Sequence, residues 1–213
     1  MKSKTIMFID LEGTLLDEES GKVEQQNLYH FIDLINKLEN STSSSVAIHL
    51  VSPVEYTIMK MVKDYINSNI TEYNRKNKAQ IHFVESAACN MDQSSILNQT
   101  DNTIVPLPAS INKEKRLIGL TEKAEYVKFW YQLLNSRYDI KNLIYIGNGR
   151  NDFQAMKYVQ EQGGIVVCPK NSPSKVREIA DYSSELFALE GVNTALSQAI
   201  DSNLQSQQKC PEK

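Results

Sequence analysis

This sequence predicts a three-layer α/β/α fold with a doubly wound, mostly parallel sheet. Three observations carry that expectation. Short apolar runs alternate along the chain with helical periods. The runs are continuously apolar, as in strands buried on both faces. Several of them end in polar residues at a turn or a helix start, where open parallel sheets bind ligands. At 213 residues the chain is long enough for one ordinary domain with a small insertion.

The first strand fits 4–9, the run Thr5-Ile6-Met7-Phe8-Ile9. A helix fits 25–39, followed by the polar loop Glu39 to Ser45. The second strand is 46–51, and a helix over 54–67 follows it. A third strand is expected at 80–84, Gln80-Ile81-His82-Phe83-Val84. Residues 85–120 then break the alternation. They hold Pro106, Pro108 and a short strand-like Thr103-Ile104-Val105, and read as a small inserted flap or cap. The helix 121–136 places Tyr126, Phe129, Trp130 and Leu133 at i, i+3, i+4, i+7, an expected inward face. Strands at 142–146 and 164–168 and helices at 151–161, 173–180 and 190–200 complete the pattern. The core domain is therefore 1–84 with 121–200, and the polar residues 201–213 are expected to form a disordered tail.

Composition narrows the function. Hydrophobic residues make up 41% of the chain and charged residues 23%, a soluble globular profile. A net charge of -3 gives no basic field for nucleic acid. The first apolar stretch stops at Asp10, too short for a signal peptide core or a membrane span. Cys89, Cys168 and Cys210 are far apart and odd in number, which fits a reducing cytoplasm. His30, His49 and His82 are isolated, so a zinc hydrolase is not indicated; His49 and His82 fall inside expected strands as packed core residues.

Chemistry concentrates at four places. Asp10 follows the first strand, with Glu12 two residues on and Gly13 after it. Carboxylates at a buried strand end pack badly but suit a cation and an electrophile. The second strand ends in Ser52, whose hydroxyl and following amides can bind an anion. Lys123 sits in the first turn of helix 121–136, where it opposes the helix dipole at a cost of up to about 1 kcal/mol. A solely structural role is then the less natural one, and its removal should be neutral or slightly stabilising. The strand Leu143 to Ile146 runs into Gly147-Asn148-Gly149-Arg150-Asn151-Asp152. Asn148 and Asp152 offer the oxygen ligands that a hard cation takes. This turn lacks the third glycine of a dinucleotide fingerprint, and no Walker lysine motif occurs.

Together these residues resemble the haloacid dehalogenase-like superfamily of phosphatases. Asp10-Leu11-Glu12-Gly13-Thr14 matches its first motif, Ser52 its second, Lys123 its third, and Gly147 to Asp152 its fourth. The stretch Gly164 to Ser172 and the residues up to Gly191-Val192 follow its carboxyl-terminal pattern. The resemblance spans about 4–200 apart from 85–120. It implies a Rossmann-like core and a Mg²⁺-dependent phosphatase of the cytoplasm, acting on a small phosphorylated metabolite through an aspartyl-phosphate. Asp10 would be the nucleophile and Glu12 the acid and base. Ser52 and Lys123 would bind the phosphoryl group. Asp10, Glu12 (through its carbonyl), Asn148 and Asp152 would hold the metal. Two positions depart from the pattern: Glu12 replaces an aspartate, and Asn148 replaces a metal carboxylate. The second supports an alternative, a weak or inactive member that binds a phosphorylated ligand or a protein partner. A phosphotransferase or mutase is a further alternative. Substrate and oligomeric state are not legible.

Overall fold

The computed structural model describes residues 2–91, 93–107 and 122–208. Seven parallel strands form one sheet in the order β4-β3-β2-β1-β5-β6-β7. They are β1 (Ser3–Ile9), β2 (Ser45–Glu55), β3 (Val84–Asn90), β4 (Ile104–Pro106), β5 (Asp139–Ile146), β6 (Ile165–Cys168) and β7 (Tyr182–Ser183). The helices are α1 (Gln25–Thr42), α2 (Tyr56–Asn77), α3 (Gln93–Asn98), α4 (Glu122–Asn135), α5 (Phe153–Glu161), α6 (Ser174–Ile179) and α7 (Ala188–Gln208). Among the described residues, no helix is long and apolar enough to cross a membrane.

The strand alternation sorts the helices into two layers. In β1, Met7 and Ile9 pack with α1, α2 and α7, alongside Ile144 and Ile146 of β5. Ile6 and Phe8 pack on the other face with α4, α5 and α6, alongside Leu143 and Tyr145. All four β1 residues are fully buried. Each such side chain contributes about 1.5–3 kcal/mol relative to exposure. A strand that must bury both faces has no room for the usual polar alternation, which is why it reads as a continuous apolar run.

Several elements differ from the sequence expectation. The third strand runs Val84–Asn90, not 80–84. His82 lies before it and is exposed, so it is not a core histidine. After Val84 the strand's buried residues are Ser86, Ala87, Ala88 and Cys89, small side chains with little hydrophobic signal beside Ile81 and Phe83. Consequently the stretch expected to stand apart as a cap at 85–120 is sheet over its first part: β3 and β4 extend the core outward from β2. Residues 108–121 lie outside the described residues.

Helix α2 continues to Asn77 because Ile70 and Tyr73 prolong its buried stripe. In α4 the inward face includes Lys123, Tyr126, Val127 and Leu134, with Trp130 packed against the same core, while Phe129 is 59% exposed and Leu133 half-buried. Of the expected inward face, Tyr126 and Trp130 pack on the core and Phe129 does not. Helix α7 runs to Gln208, into the expected disordered tail. No proline or glycine interrupts 192–208 to stop it. Residues 209–213 lie outside the described residues.

Candidate active site

The chain starts in the middle of the sheet, winds outward through β2, β3 and β4, then crosses to the opposite side with β5, β6 and β7. The switch lies between β1 and β5, where Ile9 is level with Ile146. Strands diverging to either side leave a crevice beyond such a pair. Asp10 enters it directly from β1, and its amide donates to the Ile146 carbonyl at 2.9 Å. Gly147 to Asp152 enters from β5. Helix α4 is the crossover segment that precedes β5, and its second residue is Lys123.

The crossover brings three charges together. The Lys123 ammonium donates to Asp10 Oδ1 and to Asp152 Oδ1, each at 2.6 Å. Lys123 and Asp152 are fully buried, and Asp10 is 3% exposed. Asp152 has further partners. The Tyr145 hydroxyl donates to its Oδ1 at 2.7 Å, and the Gly149 amide donates to its Oδ2 at 2.8 Å. Gly147 is required here, because a Cβ on it would lie 2.7 Å from the Asp152 carboxyl. Burial raises the Asp10 carboxyl, and repulsion from Asp152 adds to it; Lys123 opposes both, and the pKa settles at about 7. For Lys123 burial works against the charge, but Asp10 and then Asp152 outweigh it and raise its pKa. A second positive charge near Asp10 would therefore favour its ionised, nucleophilic form.

The other side of the crevice is a rim. Its loop leaves Asp10, passes Glu12 and Gly13, and turns back at Leu16, which forms a parallel bridge with Glu12. Glu12 is exposed. Asn148 is buried, and accepts from the Thr14 hydroxyl at 3.2 Å. Its amide nitrogen donates to Glu18 Oε1 at 3.2 Å. Gly13 has a φ of +72°, and a Cβ there would sit 2.1 Å from that nitrogen. The first and fourth motifs thus interlock through a glycine. Asn171 fixes the loop from behind: its side chain donates to the Gly13 carbonyl at 2.9 Å and accepts from the Ala188 amide at 3.2 Å.

Ser52 is fully buried one position beyond Val51, inside β2 rather than at its end. Register places Leu50 beside Ile9, so Ser52 is near the level of Asp10 and the turn after it. Pairing with β3 becomes irregular after Val51, and the Ser52 hydroxyl accepts from the Val54 amide at 3.4 Å. The structure therefore joins Asp10, Lys123 and Asp152 directly. It gathers Glu12 and Asn148 at the rim of the same crevice, and Ser52 comes from the neighbouring strand.

Sequence reasoning missed Tyr145, Thr14, Glu18 and Asn171 as members of this network. Tyr145 had a visible signal, a lone hydroxyl in an otherwise aliphatic run two residues before the glycine turn. Glu18 had none, because its contact depends on how the loop folds back.

Asp10, Asn148 and the Glu12 carbonyl are hard oxygen donors clustered at one end of the sheet, which suits a magnesium-type cation. Among the described residues, no three carboxylate, imidazole or thiolate groups converge into a metal cage. A cation that keeps several waters and is held by one or two carboxylates plus a substrate phosphate fits such a sparse set.

No protein-family model matches the sequence, and no curated protein does. Solved structures do match in fold. A candidate HAD superfamily (subfamily III A) hydrolase from Legionella pneumophila superposes with a TM-score of 0.52 at 15% identity, covering 95% of this chain and 84% of its own. A candidate phosphoserine phosphatase from Vibrio cholerae, unliganded, superposes with a TM-score of 0.50 at 11% identity, covering 100% of this chain and 68% of its own. With its all-parallel sheet, its helices on both faces and its acidic turn after the central strand, the chain has the haloacid dehalogenase-like fold.

Proposed function

We propose that the protein is a Mg²⁺-dependent phosphatase that hydrolyses a small phosphomonoester through an aspartyl-phosphate on Asp10. The observation that supports this best is the Asp10 carboxylate itself: it ends the central strand at the switch point, buried, with an ammonium 2.6 Å away. An ion pair placed so deep is costly to desolvate and is weak evidence for stability alone.

The residues divide the reaction as follows. Lys123, with the Ser52 hydroxyl, holds the phosphoryl oxygens as charge develops on them. Asp10 attacks phosphorus, and the bond to the leaving oxygen breaks as Glu12 gives that oxygen its proton. Glu12, now a carboxylate, takes a proton from water, which attacks phosphorus and releases phosphate and Asp10. Asp152 positions Lys123 and is itself held by Tyr145 and Gly149. Asp10, the Glu12 carbonyl and Asn148 would hold Mg²⁺ directly, and Asp152 would act on it through water. When bound, Mg²⁺ supplies positive charge that lets a carboxylate and a phosphate meet.

The test is hydrolysis of an aryl phosphate with and without Mg²⁺, in the wild type and in Asp10→Asn. The amide is near-isosteric but a poor nucleophile. Turnover should fall by on the order of 10⁴-fold or more, with the thermal midpoint little changed. A second reading, a phosphate-binding protein without turnover, draws on Asn148, whose amide faces Glu18 where the family has a metal carboxylate. It would be favoured by tight binding of a phosphate mimic together with no Mg²⁺-dependent hydrolysis.

A further inference from the structure

Beside Glu12 the rim opens on a pocket of about 620 Å³, between the loop after β1 and the start of α2. Its two walls differ in chemistry. One is apolar: Val54, Ile58, Met61 and Val62. Ile58 is 43% exposed and Met61 68%, so apolar surface faces the opening. The other wall carries Glu12, Asp17 and Glu18. Asp17 accepts from both the amide and the hydroxyl of Ser20 at 2.8 Å, and these bonds lower its pKa and favour the ionised form. Among the described lining residues there is no lysine, arginine or histidine.

A group bound here lies next to the residue assigned to protonate the leaving oxygen, so the pocket is the place for whatever that oxygen carries. The carboxylates of Asp17 and Glu18, with no described counter-cation, repel an anionic leaving group and attract a cation, and Glu12 adds to that field once it has given up its proton. The apolar wall stabilises hydrocarbon by burying it. We propose that the pocket receives the leaving group of the substrate, and that this group is an apolar body bearing an ammonium. The inference rests on the phosphatase reading above and adds the substrate class.

A matched set of aryl phosphates isolates the charge: 4-(aminomethyl)phenyl, 4-(hydroxymethyl)phenyl and 4-(carboxymethyl)phenyl phosphate. The ammonium ester should exceed the carboxylate ester in kcat/KM by about tenfold or more, with the neutral ester between them. Met61→Lys, at a position exposed enough to tolerate it, should shrink that ratio several-fold. Equal rates across the set, or preference for the carboxylate ester, would overturn the proposal.

A binding measurement separates its failure from that of the phosphatase reading. Saturation-transfer NMR with 4-(aminomethyl)phenol and 4-hydroxyphenylacetate needs no turnover. If no ester is hydrolysed, the catalytic reading fails. Transfer to the aminophenol alone, lost in Met61→Lys, still supports the pocket assignment. Equal transfer to both phenols, or transfer unaffected by the substitution, overturns it.

Discussion

The two sides of the crevice are built on opposite principles. The floor, formed by Asp10, Lys123, Asp152 and Tyr145, is buried and every contact in it is short and charge-assisted. The rim is formed by Glu12, Asp17 and Glu18 of the loop after β1, with Asn148 of the turn after β5, and its three carboxylates are exposed. Floor residues come from β5, the turns after β1 and β5, and α4, elements anchored on the sheet. Rim residues come mostly from one local turn. On the function proposed above, the reacting phosphoryl group belongs to the buried side and the variable part of a substrate to the open side. The difference also predicts how substitutions rank.

Breaking the floor should cost most. Lys123→Ala leaves two buried carboxylates, Asp10 and Asp152, without their shared counter-charge. It should destabilise the protein by about 3–5 kcal/mol, read as a lower urea midpoint. This reverses the expectation from helix position alone, which makes the removal neutral: the dipole effect is at most about 1 kcal/mol and is overridden by two buried carboxylates. A midpoint equal to that of the wild type would show that the carboxylates find other compensation.

Tyr145→Phe is a milder cut on the same side. It removes one hydrogen bond to a buried carboxylate and keeps the ring packing. The expected loss is about 1.5–3 kcal/mol by urea unfolding. A loss below that range would mean that Lys123 and the Gly149 amide suffice for Asp152.

On the rim, Asn148→Asp should raise Mg²⁺ affinity by about tenfold in titration calorimetry, because a carboxylate is a stronger partner than an amide for a hard dication. Its new charge would face Glu18 where the amide now donates. Glu18→Gln on the same background should therefore restore metal-free stability, by about 0.5 kcal/mol. An unchanged Mg²⁺ affinity would remove Asn148 from the metal site.

The effect that is smallest at neutral pH lies away from both sides. His49 is buried in β2, with Nδ1 2.7 Å from the Ser86 hydroxyl. Burial, aided by the Lys4 charge, pushes its pKa from 6.5 down to about 3. Between these values the unfolded chain binds a proton that the folded protein does not. Stability from this residue is complete above about 6.5 and is lost as the pH falls toward 3. His49→Gln should flatten the fall in urea midpoint across that window; an identical slope would exclude His49 as its source.

How much of this was legible in the sequence follows from what each feature depends on. β1, β2, β5 and β6 were visible because central strands must be apolar on both faces. Asp10, Lys123 and Asp152 were visible because charge at strand ends and helix starts conflicts with packing. β3 was misplaced because Ala87, Ala88 and Cys89 satisfy a crowded interior with little apolar signal. The inward face of α4 was legible at Tyr126 and Trp130 but not at Lys123, whose burial against Asp10 and Asp152 carries no apolar period. Glu18 and the pocket walls were invisible, since loop folding brings them together across the chain.

The proposed mechanism requires Asp10 to carry the phosphoryl group. Acid quench of the wild type during turnover of an aryl phosphate, followed by peptide mass analysis, measures this directly. The predicted result is a base-labile phosphoryl adduct on the peptide containing Asp10, absent in Asp10→Asn. Steady turnover with the adduct on another residue, or with Asp10→Asn retaining a substantial share of the wild-type rate, would contradict it.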